Sequence, residues 1–144
     1  MAFNPDVIVT TDYSPGTIAL VGEVKGAKAN LDEAAFQLKE YMLLMGCPVG
    51  IIFTPQVLRI YRNRFLGPTQ DSVELVGDFQ SGELLGTGQP LAASESAVES
   101  ALLGWLEELA HTGQVTVSDQ SLESAINEHI LPAVSGGIVS IVHP

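Results

Sequence analysis

Apolar and polar positions follow two different periods along the first half of the chain. Residues 6–11, DVIVTT, are rich in β-branched side chains and predict a strand. DYSPG, residues 12–16, sets Asp, Ser, Pro and Gly in succession and predicts a turn. TIALVGEVK, residues 17–25, predicts a second strand, and so short a connection makes the pair an antiparallel hairpin. The period then changes. In NLDEAAFQLKEYMLLMG, residues 30–46, Leu31, Ala34, Ala35, Leu38, Met42 and Met45 recur at helical spacing. Asn30 with Glu33 reads as a capping box at its start, and Gly46 and Pro48 stop it. VGIIFT (49–54) predicts a buried strand, VLRIYR (57–62) a strand of alternating exposure, and SVELVGDF (72–79) a further strand.

The second half reads differently. Residues 80–93 predict a loop, and SESAVESALLGWLEELAHTG (94–113) a helix capped by Ser96 and Glu99. Val98, Ala101, Leu102, Trp105 and Leu109 form its apolar face, and Gly113 is its stop. VTV (115–117) is too short to assign. DQSLESAINEHILPAV (119–134) predicts another amphipathic helix ended near Pro132, and GGIVSIVHP closes as a short apolar strand or tail. The order β-β-α-β-β-β followed by two helices places the chain among α/β folds with a mixed, α+β-type sheet. One domain spans 1–144: a core over 1–80 and an acidic, helical part over 81–144.

Composition narrows the setting. The chain is 46% apolar, yet no apolar run approaches the roughly 20 residues that span a bilayer. No signal peptide is visible at the N-terminus, and the single cysteine, Cys47, has no internal partner, so a cytoplasmic location is expected. Cys47 reads as a small buried residue. Net charge is -11, unevenly spread. All six basic residues, Lys25, Lys28, Lys39, Arg59, Arg62 and Arg64, precede residue 65, where six acids balance them. The remainder holds eleven acids and no Lys or Arg, so it repels nucleic acid and acidic membranes. Any polyanion must approach the first half.

Candidate chemistry lies at the end of the hairpin, in GEVKG (22–26). Glu23 and Lys25 share a face of the strand. Alone they make a surface ion pair. With the turn centred near Ser14, Asp6 comes beside Glu23, and two adjacent carboxylates repel unless a cation joins them. A hard divalent ion such as Mg²⁺ suits such oxygens, and the lysine stands ready to orient water or meet charge on a phosphate.

Pro5–Asp6, a spacer and then Glu23–Val24–Lys25, followed at once by a helix bearing Gln37 and Tyr41, resemble the PD-(D/E)XK nuclease superfamily. The spacing of Gln37 and Tyr41 is similar to the Q-x-x-x-Y motif of nuclease domains in recombination helicases and type I restriction subunits. VGIIFTPQVLRIYR resembles the strand pair that follows there. The resemblance covers roughly residues 5–65 and implies a restriction endonuclease-like core with extra C-terminal helices. It implies Asp6, Glu23 and the carbonyl of Val24 as ligands of Mg²⁺ or Mn²⁺, Lys25 as the catalytic lysine, and Gln37 near the phosphate or attacking water. Tyr41 would support substrate, with Lys28, Arg59 and Arg62, or also Lys39 and Arg64, as the bases available to DNA. The family core begins with a helix, often carrying another acid, and a strand before Pro-Asp, whereas four residues precede Pro5 here. A longer chain, a partner, a second copy or the C-terminal helices would supply those elements. The expected function is thus DNA phosphodiester hydrolysis. The alternative is an inactive nuclease-fold module that works by binding or assembly, as a homodimer or in a larger complex. His111, His129 and His143 show no metal-binding spacing; His111 reads as a charge partner for a helix C-terminus.

Overall fold

In a computed structural model, residues 5–11, 14–85 and 94–142 are described. β1 (Val7–Thr11) and β2 (Ser14–Val24) form the expected antiparallel hairpin, with Val7 opposite Gly22 and Val9 opposite Leu20. Ser14, Pro15 and Gly16 belong to β2 rather than to the turn, of which Asp12 and Tyr13 lie outside the described residues. Among the described residues β2 meets β3 only from Leu20 to Val24, so Pro15 lies outside that ladder, where proline is tolerated. Register shifts after Val9 and Thr10 absorb the difference in turn position.

α1 (Leu31–Met45) begins where Asn30 Oδ1 accepts from Glu33 N at 3.1 Å, a cap of about 1 kcal/mol. It ends at Gly46, whose φ of 64° is the left-handed conformation glycine adopts freely. Ala34, Ala35, Leu38 and Met42 are buried, while Met45 is exposed. The helix is the crossover between β2 and the parallel strand β3 (Val49–Phe53), every residue of which is buried. β4 (Val57–Asn63) and β5 (Val73–Gln80) follow antiparallel, with a bulge in β5 between Leu75 and Gly77.

The cap of α2 (Glu95–Thr112) lies two residues before the predicted one. Ser94, not Ser96, accepts from Ala97 N at 3.1 Å. Val98, Leu102, Leu106 and Leu109 are its buried stripe, and Trp105 is half-buried beside them. The next helical run ends at Val134, close to Pro132 as expected. α3 (Gln120–Ala125) passes through a π-helical turn over Ile126–Ile130 into α4 (Leu131–Val134). The proline lacks an N–H and its ring crowds the preceding turn; the widened turn re-registers the ladder just before it. Residues 115–117 form no strand, although Val117 is buried.

β6 (Ile138–Ile141) then pairs antiparallel with β1, which completes a six-stranded mixed sheet in the order β5-β4-β3-β2-β1-β6. α1 covers one face through Val21, Ile52 and Tyr61. α2, α3 and the π turn cover the other through Val7, Val9, Leu20, Ile51 and Ile60. Among the described residues no helix is long and apolar enough to cross a membrane. β6 enters its ladder through Gly137, where a Cβ would sit 2.9 Å from the Thr10 carbonyl oxygen and 2.9 Å from Val9 Cγ1. Backbone cannot yield as a side chain can, so Gly137→Ala is expected to destabilise the protein by about 1–3 kcal/mol in urea melts. An unchanged midpoint would mean that β6 is not seated as described.

Candidate active site

Hairpin register decides which side chains meet at the open end of β1 and β2. Val7 faces Gly22, so Asp6, one residue earlier, comes level with Glu23. Asp6 N donates to the Gly22 carbonyl at 3.0 Å, and the Asp6 carbonyl accepts from Val142 N at 2.8 Å. The Asp6 carboxylate turns inward, with Oδ2 accepting from Val24 N at 2.8 Å. Glu23 is nearly sealed, its side chain 6% exposed, and its Oε1 lies 3.1 Å from Lys25 Nζ. Lys25 N donates to the Phe53 carbonyl at 3.0 Å, which pins the lysine to the end of the β2–β3 pair. The three charged groups singled out from the sequence therefore converge.

Their electrostatics are unbalanced. Burial pushes the Glu23 carboxyl from its ordinary 4.5 up to about 7; the hydrogen bond from Lys25 opposes this, and the charge of Asp6 adds to it. Glu23 Oε2 is buried with no hydrogen-bond partner among the described residues. When Glu23 is protonated, a hydrogen bond with Asp6 becomes available. When it is ionised, that oxygen has no donor. The cluster thus has room in its charge balance for one more positive charge, either a proton or a small hard cation. Among the described residues no three His, Cys, Asp or Glu side chains converge on a metal position. The available donors are two carboxylates and the neighbouring Val24 carbonyl.

The other candidates divide. Gln37 and Tyr41 sit half-buried on successive turns of α1. Burial raises the Tyr41 hydroxyl above its ordinary value, and the nearby Cys47 adds to this. Cys47 is buried as expected: Sγ donates to the Val49 carbonyl at 3.2 Å, and burial pushes its thiol up to about 11. Lys28 is exposed in the loop after β2. Arg59 lies in the same cross-sheet row as Glu23, through Ile52, and Arg59 Nε donates to Asp78 Oδ2 at 3.1 Å. Arg62, three residues on, projects from the opposite face of β4 and bonds Glu74 at 2.8 Å. Arg62 is therefore not brought to the Asp6–Glu23 pair. His111 lies in the last turn of α2 as expected, His129 is 3.6 Å from Glu128, and His143 lies outside the described residues.

One neighbour escaped the sequence reading. Glu95, in the first turn of α2, brings Oε1 within 3.4 Å of where a Cβ on Gly26 would be. Its only sequence signal is an acid at a helix start, a common feature, and the packing of α2 against the hairpin end is what gives it a place. The chain matches no protein-family model, no curated protein and no solved structure.

The raised Glu23 value makes stability depend on pH. A carboxyl whose folded pKa lies above its unfolded 4.5 contributes stability that is full below 4.5 and lost as pH rises through about 7. Between pH 4.5 and 8 the wild type is expected to lose about 1–3 kcal/mol relative to Glu23→Gln. Parallel urea melts of the two proteins across that range check this, and parallel pH profiles would contradict it.

Proposed function

We propose that this domain is a metal-dependent phosphodiesterase of the nuclease type, acting on DNA with Mg²⁺ or Mn²⁺. The observation that carries the reading is the meeting of Asp6, Glu23 and Lys25 around a buried Glu23 oxygen that lacks a donor. Hard oxygen donors, one left unsatisfied, fit a small divalent cation. Asp6, Glu23 and the Val24 carbonyl would hold it, and when bound it would polarise a phosphoryl oxygen and acidify a water.

The chain's own groups account for the rest. Lys25, one-third exposed, holds its ammonium at the mouth of the pair, where charge grows on a phosphate under attack. Val24 N fixes one Asp6 oxygen, which limits the directions the other can take. Arg59, about 10 Å from Glu23 by two strand spacings, is placed to meet a neighbouring phosphate if Asp78 releases it, and Lys28 lies exposed in the adjoining loop. Gln37 is assigned to the phosphate or water by resemblance alone.

Support for a restriction endonuclease-like core comes from the sheet. β6 lies beside β1 and α2 packs on β6, the neighbourhood in which the resemblance asks for a helix and a strand ahead of Pro-Asp. In this reading the C-terminal half supplies them, in permuted order.

A second reading has its own observation. Arg59, Arg62 and Arg64 are each within reach of an acid on β5, which leaves a lean basic surface on a chain of net charge -11. That favours a nuclease-fold module which binds or assembles without turnover. Plasmid cleavage with Mg²⁺ or Mn²⁺ separates the two. Glu23→Ala and Lys25→Ala are each expected to lower the rate by roughly 100-fold or more, and calorimetry should show metal binding that strengthens as pH rises through about 7. Cleavage unchanged in both variants sinks the nuclease assignment; no metal binding and no cleavage by wild type selects the module.

A further inference from the structure

The two edges of the sheet are treated differently. β5 carries Glu74 and Asp78, both engaged by arginines, and a bulge interrupts its ladder with β4. Charge and bulges are the usual devices that stop an edge from pairing. β6 has none of them. Residues 135–142, SGGIVSIV, contain no charged side chain and no proline. Ile138 is 54% exposed and Ile141 38%, and among the described residues no strand pairs with the outer side of β6.

Ladder parity says which backbone groups that outer side presents. Val142 N donates to the Asp6 carbonyl, and Ile8 stands opposite Ser140. In an antiparallel ladder, bonded and non-bonded pairs alternate. Ile138, Ser140 and Val142 therefore direct their N–H and C=O groups to β1, while Val139 and Ile141 direct theirs outward. Two outward residues at positions i and i+2 form a self-complementary edge: rotated by 180°, Val139 of one copy meets Ile141 of the other, and the reverse.

We infer that β6 pairs antiparallel with β6 of a second copy, centred on Ser140, to make one continuous sheet. Both Val139–Ile141 pairs are then bonded, and Ser140 faces Ser140 as a close non-bonded pair. A two-fold axis normal to the sheet keeps like faces together, so aliphatic side chains meet on each face and no charge opposes another at the seam. If the proposed nuclease reading holds, both sites lie on the α1 side. The two Asp6 residues are then separated by three strand spacings across the sheet and four residues along it, about 20 Å in all, which is comparable to the width of a DNA duplex.

The test needs no activity, so it stands apart from the nuclease assignment. Light scattering over a concentration series should give twice the 15.3 kDa chain mass. Ser140→Cys should cross-link two chains on mild oxidation, since non-bonded antiparallel pairs bring Cα atoms to about 4.5 Å. Ser121→Cys, exposed on α3, should not cross-link, and the buried Cys47 stays silent. Val139→Pro removes an outward N–H together with a side chain that packs on the core, and should give a monomer with an unchanged circular dichroism spectrum; should that variant unfold, the cross-link decides. A monomer at every concentration, or a dimer that Ser140→Cys does not link, overturns the proposal. Cross-linked dimers that cut no DNA leave it intact and count against the nuclease reading alone.

Discussion

The buried carboxylate of Glu23 is the constraint around which this end of the sheet is organised. A charge held at that depth costs several kcal/mol unless it is compensated, and each compensation fixes a neighbour. Lys25 must share its face, so β2 has to keep its period of two to the last residue. Asp6 must sit close without leaving its own oxygens bare, and the Val24 amide satisfies one of them. The Phe53 carbonyl takes the Lys25 amide and thereby ties the cluster to β3. A hydrophobic residue at position 23 would free all of these contacts from obligation. Together these contacts compensate one buried charge.

Much of this was legible because it depends on short-range periods. The alternation in TIALVGEVK put Glu23 and Lys25 on one face, and the brief connection to DVIVTT supplied Asp6. The bulged register still delivered that pairing even though the turn was misplaced, since Ser14 to Gly16 joined the strand. What could not be read depended on partners distant in sequence. GGIVSIVHP read as a short apolar strand or tail, but nothing in it announced β1 as its partner. Pro132 marked the end of the last helical run to within two residues, but the π turn just before it is invisible to any 3.6-residue pattern. Glu95 had no signal apart from where α2 lands.

Charge shows the same division. Counting acids and bases located the basic residues correctly in the first half. Counting could not show that β5 would lie against β4 and present Asp78 to Arg59 and Glu74 to Arg62. Nor could it show that Arg59 and Arg62 point from opposite faces, which a three-residue separation on a regular strand requires. Gln37 and Tyr41 lie half-buried on successive turns of α1, as their four-residue spacing requires.

The bond from Val142 to the Asp6 carbonyl also has a consequence in time. During synthesis Asp6 emerges early, and the hairpin and α1 can form from local contacts. The outer ladder of β1 cannot close until a segment more than a hundred residues later has left the ribosome. Contacts of that sequence separation form slowly, so one edge of β1 stays open until β6 arrives. The corner that holds Asp6 beside Glu23 is thus fastened on its outer side by a strand that arrives late.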